Sequence, residues 1–167
     1  MDYIRTAPVL RVDLPTEADT RALGAALAKQ VKAGDVITLE GGLGVGKTTL
    51  ARGFIQHLTG SAEEVVSPTF TLVQLYEAAV PIWHFDLYRL RDASEVLELG
   101  LEDALADGIV LIEWPERLGT LAPQRRLEVA LALGLQNARG LQNARWAELA
   151  GHPSWQARME DLKNDVR

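Results

Sequence analysis

The chain has 167 residues, a length that suits one domain, and 47% of them are hydrophobic, enough to fill a core. It holds no cysteine, which excludes a disulfide scaffold, a thiolate zinc site and a cysteine nucleophile, and no apolar run approaches the ~18 residues of a membrane span. The formal net charge of -6 and a pI near 5.1 argue against direct, tight binding to nucleic acid, whose usual footprint is a basic patch and a domain pI above ~9.

The first ten residues, MDYIRTAPVL, lack the basic stretch and apolar core of a signal peptide, so the expected location is cytoplasmic. Tyr3 to Val12 alternates imperfectly and reads as a strand. Thr16-Glu17-Ala18-Asp19 has the form of a capping box with Thr16 as N-cap. Leu23, Ala26, Leu27 and Val31 follow at helical spacing, and Gly34 is the stop. Asp35 to Glu40 is an apolar, β-branched run that reads as a buried strand. A Gly-rich loop comes next, then a helix from Thr48 to Leu58 that ends near Gly60.

Ser67-Pro68-Thr69-Phe70-Thr71 marks a turn into a strand, Thr71 to Tyr76. Ile82 to Leu87 is a further strand, and Ala93 to Leu99 and Leu101 to Ala106 have helical patterns. Gly108 to Trp114 is the most apolar strand of the chain and Pro115 closes it; Arg126 to Leu133 alternates as a strand. GLQNAR then occurs twice in tandem, at Gly134 to Arg139 and Gly140 to Arg145. Two copies of six residues are too few and too short for a solenoid, so the duplication reads as a lengthened connection with little effect on function. The expected division is a main domain over 1–152 and a helical tail over 153–167. Alternating strand and helix signals predict an α/β fold, a mostly parallel sheet flanked by helices with an antiparallel strand or two at the edge.

Chemistry is concentrated in Gly41-Gly42-Leu43-Gly44-Val45-Gly46-Lys47-Thr48, which fits G-x-x-x-x-G-K-[ST]. Glycines let backbone N–H groups turn inward onto phosphate oxygens, and the following helix adds its positive end. Lys47 is placed to reach β- and γ-phosphates and the Thr48 hydroxyl to ligate Mg²⁺; Thr49 continues the same turn. The required acid has two candidates. Glu113 ends the run Ile109 to Ile112 and is preferred from position; Asp86 ends Trp83-His84-Phe85. Each equally suits a turn cap or a surface ion pair. The hydroxyl-rich segment at Ser67 reads either as a loop that senses a γ-phosphate or as a plain turn. Trp114 suits a base-stacking role or a core position, and Arg52 and Arg89 suit phosphate contacts or a solvated face. The histidines, His57, His84 and His152, show no metal-ligand spacing.

Four segments together, GGLGVGKTTLARGF (Gly41 to Phe54), SPTFTLV (Ser67 to Val73), HFDLYRL (His84 to Leu90) and LIEWPE (Leu111 to Glu116), resemble the TsaE family. Its members are small bacterial P-loop ATPases required for making threonylcarbamoyladenosine in transfer RNA. The resemblance covers about residues 10 to 133, and HFDLYRL with a downstream EWPE is its specific part. It implies a slow Mg²⁺-dependent ATPase that docks on a complex of TsaB and TsaD and meets tRNA only through it. It implies catalytic roles for Lys47, Asp86 and Glu113, metal contacts from Thr48 and Glu113, and Trp114 in the site. It also puts Thr16 and Glu17 near the nucleotide base. The family usually has an acid where Gly42 stands and often Ala at Val45, so any role of that acid is absent here. Two rivals come from other classes. One is a small-molecule kinase, against which stands the lack of an arginine-rich lid between Asp92 and Gly108; the other is a switch whose output is ATP binding itself.

Overall fold

The structure is a computed structural model and describes residues 10–60, 64–134 and 144–166. Its frame is a sheet of seven strands: β1 (Leu10–Leu14), β2 (Val36–Glu40), β3 (Val73–Tyr76), β4 (Ile82–Asp86), β5 (Ile109–Glu113), β6 (Leu127–Leu133) and β7 (Arg145–Gly151). The order across the sheet is β1-β7-β6-β2-β5-β4-β3. The four central strands, β6, β2, β5 and β4, pair in parallel. β3 runs against β4 at one edge, and β7 runs against both β6 and β1 near the other. Five strands therefore share one direction and two oppose it, the mixed arrangement of an α/β fold with antiparallel flanks.

Period-two alternation sorts the strand residues onto two faces. Ile37, Leu39, Ile82, Ile109 and Leu111 join the core under helices α1 (Glu17–Ala28), α2 (Lys47–Thr59) and α5 (Gln156–Asp165). Val36, Phe85, Val110 and Ile112 join the core of the opposite face, under α3 (Glu95–Glu98) and α4 (Leu101–Asp107). Residues between Asp92 and Gly108 thus cover the sheet, with Val96, Leu101 and Ala104 buried. The C-terminal helix belongs to the first core through Met159 and Leu162, with Trp155 just before it. The Arg158–Asp35 ion pair and the Lys29–Asp165 pair also tie it down.

Helices α1 and α2 cross at very close range. A Cβ added to Gly24 would stand 2.1 Å from the Leu50 carbonyl oxygen, and one added to Gly53 would stand 2.2 Å from that of Arg21. Two glycines, one on each helix, let the backbones touch. The N-terminus of α1 is closed by the expected capping box. The Thr16 hydroxyl accepts from the Asp19 N–H and donates to the Asp19 carboxylate, which also accepts from the Thr16 N–H at 2.9 Å.

Some boundaries differ from the sequence reading. The strand expected from Thr71 starts at Val73, because Leu72 is left-handed, with φ of 65°, and breaks the extended run. The strand expected through Trp114 stops at Glu113, because Trp114 is also left-handed, with φ of 60° and ψ of 51°, and leads into a 3-10 segment at Pro115. β7 carries no clear strand signal in the sequence; its alternation rests on Ala147 and Leu149, with only small or polar residues between Trp146 and Gly151 besides. The strand expected from Tyr3 is described from Leu10 onward, and residues 135–143 of the GLQNAR pair lie outside the described residues. At the rim of that connection the Gly134 N–H donates to the Ala144 carbonyl at 2.7 Å, closing β6 against β7.

Candidate functional site

β2 ends at Glu40, and the chain curls through the Gly-rich loop into α2. Gly41 has φ of 142°, and a Cβ there would sit 2.6 Å from the Leu131 carbonyl oxygen, so both conformation and space require glycine. Gly46 is the left-handed N-cap of α2, with φ of 111°. No side chain caps this helix and its first turn holds no acid. Its leading N–H groups and positive end therefore face the loop, an arrangement that favours an anion.

A cleft of about 360 Å³ opens there, at the carboxyl ends of β2, β4 and β5. Its lining brings together Leu43, Gly44, Val45, Gly46, Lys47, Thr48 and Thr49 from the loop and α2, Asp86 from β4, Glu113 from β5 and Trp114 just beyond it. Glu17 reaches it from α1. Thr16 does not line it; its side chain is spent on the helix cap. Gly41 and Gly42 line a neighbouring cleft on the other side of the loop, with Glu116 and Arg126. A Cβ at Gly42 would meet nothing within 4 Å, so the missing acid leaves the loop geometry untouched.

Lys47 is folded back on its own loop. Its Nζ donates to the carbonyls of Gly41 at 2.6 Å and Gly42 at 2.7 Å and lies 4.0 Å from the centroid of the Trp114 ring. Trp114 in turn tilts against Tyr88, with centroids 4.9 Å apart. The left-handed backbone of Trp114 aims the ring at the ammonium; such a conformation costs a bulky residue about 1–3 kcal/mol and is typical of functional sites. Burial holds the Lys47 ammonium below its ordinary pKa of 10.5, and the charges of Glu113, Glu116 and Asp86 oppose that shift.

Glu113 and Asp86 are both buried. The Thr48 hydroxyl donates to Glu113 Oε1 at 3.0 Å, and His84 Nε2 lies 2.7 Å from Glu113 Oε2. Asp86 Oδ2 accepts from Ser67 at 3.0 Å and Thr69 at 3.3 Å, while Oδ1 accepts from the Tyr88 N–H. The hydroxyl-rich segment is thus tied to one of the two acids. Phe70, at its tip, is largely exposed and carries the Arg89 guanidinium 4.6 Å from its ring centroid.

Around the loop the donors are all oxygens: Thr48 Oγ1 and two carboxylates. That set suits a hard cation such as Mg²⁺. Among the described residues no group of three or more His, Cys, Asp or Glu side chains could hold a metal by itself. One or two carboxylates completed by phosphate oxygens is the usual way Mg²⁺ is held.

Sequence reasoning missed two residues here. The histidine spacing carries no metal-ligand signal, and the one local pointer to His84 is its place two residues before Asp86 on one strand. By sequence Arg145 is only the last residue of the GLQNAR duplication. It lines the cleft and donates to the carbonyls of Val45 at 2.6 Å and Gly44 at 3.1 Å. Nothing in the local sequence couples it to a loop a hundred residues away. Arg52 is not among the residues lining the cleft.

The chain is similar to known proteins in sequence and in fold. The family described as "Threonylcarbamoyl adenosine biosynthesis protein TsaE" matches residues 14–141. A tRNA threonylcarbamoyladenosine biosynthesis protein TsaE of Rickettsia felis is 40% identical over 127 residues, 75% of this chain and 74% of its own. Proteins of the same description match from Bacillus subtilis, 41% identical over 68% of this chain and 71% of theirs, and from a Nostoc species, 40% identical over 83% and 88%. Among solved structures, the crystal structure of Bacillus subtilis YdiB superposes with a TM-score of 0.79 at 27% identity, covering 97% of this chain and 99% of that one.

Proposed function

The chain belongs to the TsaE family of threonylcarbamoyladenosine biosynthesis proteins, and on that premise we propose that it binds ATP with Mg²⁺ and hydrolyses it slowly. That cycle serves the modification of tRNA through a TsaB–TsaD complex. The observation that carries this reading is the convergence of Lys47, Thr48, Asp86 and Glu113 on one cleft at the N-terminus of α2. In this reading the loop from Gly41 to Gly46 cradles the phosphates. Lys47 leaves the carbonyls of Gly41 and Gly42 far enough to meet the β- and γ-oxygens. Thr48 and Glu113 hold the cation, which when bound supplies positive charge to the phosphate oxygens. Asp86 orients the attacking water or couples the site to the Ser67 loop. Glu17 borders the nucleoside, and Trp114, packed on the Lys47 ammonium, closes the phosphate end of the site. The expected location is the cytoplasm; no helix among the described residues is long and apolar enough to cross a membrane.

Support for a switch-like contribution comes from Asp86. It holds Ser67 and Thr69, so any change in what Asp86 binds alters the loop that carries the exposed Phe70. Hydrolysis and switching are then two uses of one site.

The test is a turnover measurement on the parent protein and on Lys47→Ala, beside co-precipitation with TsaB and TsaD in ATP, in ADP and without nucleotide. Lys47→Ala should lower turnover at least tenfold, about 1.4 kcal/mol of transition-state stabilisation. Unchanged turnover in the variant would remove the ATPase reading. Co-precipitation that is absent in all three conditions would remove the proposed partnership.

A further inference from the structure

His84 is fully buried beneath the cleft. In the parallel pair β4–β5 it stands opposite Leu111, and Asp86 stands opposite Glu113. Alternation puts His84 and Asp86 on one face of β4, with Leu111 and Glu113 on the same face of β5. The ring reaches diagonally to the carboxylate, with Nε2 2.7 Å from Glu113 Oε2. Its other nitrogen, Nδ1, is buried with no hydrogen-bond partner.

This asymmetry fixes the tautomer. A neutral imidazole carries one N–H. Placed on Nδ1, that proton would be a buried donor with nothing to receive it, and Nε2 would turn a lone pair on a carboxylate oxygen. Placed on Nε2, it is donated to Glu113, and only a bare lone pair is left unpaired. The second arrangement avoids the cost of an orphaned buried donor.

Glu113 is then held from two sides. His84 occupies Oε2, and Thr48 Oγ1 lies 3.0 Å from Oε1 and 3.4 Å from Oε2. The oxygen that His84 does not engage, Oε1, is the nearer of the two to the Thr48 hydroxyl. We propose that His84 is the positioning residue of this site: by donating Nε2–H to Glu113 Oε2 it fixes the orientation of that carboxylate, with Oε1 toward Thr48, for its part in holding Mg²⁺. The inference rests on the nucleotide reading above for the cation, and on geometry alone for the hydrogen bond.

The experiment is calorimetric titration with the β,γ-methylene analogue of ATP, in excess Mg²⁺ and in chelator, on the parent protein, His84→Phe and His84→Gln. Phe fills the space without a donor; Gln places an N–H where Nε2 stood. Removing a partner of a metal-associated ligand commonly costs 10- to 100-fold in metal affinity. His84→Phe should therefore lose about tenfold or more of the Mg²⁺-dependent gain in affinity while its affinity in chelator is unchanged, and His84→Gln should recover most of it. The ring nitrogens of His84, read by ¹⁵N NMR in the metal-free parent, should show a protonated Nε2 and a bare Nδ1. A full Mg²⁺ gain in folded His84→Phe, a folded His84→Gln no better than His84→Phe, or a proton on Nδ1 would each overturn the proposal. Where His84→Phe does not fold, His84→Gln and the NMR measurement decide. A parent protein with no Mg²⁺-dependent gain would count against the nucleotide reading instead, and the ring measurement would still settle what His84 does to Glu113.

Discussion

Asp86 and Glu113 stand directly opposite each other at the last pair of the parallel strands β4 and β5, two buried carboxylates on one face of the sheet. Like charges so placed destabilise a sheet. Here each has its own donors, the Ser67 and Thr69 hydroxyls for Asp86 and Thr48 with His84 for Glu113, and Lys47 lies within reach of both fields. The shared position invites different roles rather than redundancy. Glu113→Ala is expected to weaken the Mg²⁺ dependence of ATP binding and hydrolysis together. Asp86→Asn keeps the shape and should spare Mg·ATP affinity yet abolish hydrolysis or partner-stimulated turnover. Titration with ATP at several Mg²⁺ concentrations checks this; the opposite pattern would mean that the two roles are exchanged.

Lys47 gives a pH signature. Burial lowers its pKa below 10.5, so the folded state binds this proton less tightly than the unfolded chain does. The cost of holding the buried ammonium is present at lower pH and is relieved as pH rises from the folded pKa toward 10.5. Lys47 alone therefore makes stability increase with pH in that window, and Lys47→Met should flatten the increase. Glu116→Gln removes one of the charges that raise this pKa, so it should move the Lys47 transition further down. NMR titration of the Lys47 side chain reads it directly, and an upward move would contradict the assignment.

The crossing of α1 and α2 sets the sign of a third outcome. In an exposed helix Gly→Ala is stabilising by about 1 kcal/mol. At Gly24 the added Cβ would lie 2.1 Å from one backbone oxygen and 2.8 Å from the Phe54 nitrogen, neither of which yields easily. Overpacking of this kind costs about 1–3 kcal/mol or more. Gly24→Ala should lower the urea midpoint. It should also lower nucleotide affinity, because α1 carries Glu17 and Thr20 into the cleft. An equal or higher midpoint would show that the helices part without cost.

The acidic balance bears on tRNA. With a net charge of -6 the isolated protein has little to offer a phosphate backbone. Negligible binding to tRNA at physiological salt is expected in a filter or mobility-shift assay. A submicromolar, salt-sensitive affinity without partners would show that a basic surface is at work.

Local pattern made most of this legible. The loop from Gly41 to Thr48, the capping box at Thr16 and the apolar run into Glu113 are short-range signals, and each stands where its chemistry requires. What escaped was set by tertiary approach. Leu72 and Trp114 take left-handed backbones that no propensity assigns to Leu or Trp, and these decide where β3 begins and β5 ends. β7 pairs with both β6 and β1, yet its inward alternation rests on Ala147 and Leu149 alone, too little large apolar surface to mark a strand. His84 gains meaning only when β4 lies beside β5, and Arg145 only when β7 brings it over the loop at Gly44.

The closure of β6 on β7 has a genetic side. Gly134 opens the first GLQNAR, while Ala144 and Arg145 close the second, and these residues make the rim hydrogen bond and the contact with the Gly-rich loop. Deleting either copy yields one and the same protein, with a Gly before the connection and Ala-Arg-Trp after it. Three residues, Leu-Gln-Asn, would then join the rim instead of the nine from Leu135 to Asn143. Three-residue hairpin connections are common, and the difference in closure entropy is only about 1 kcal/mol. The repeat can therefore contract, or expand again, as a length polymorphism of the gene that leaves the arginine facing the site in place.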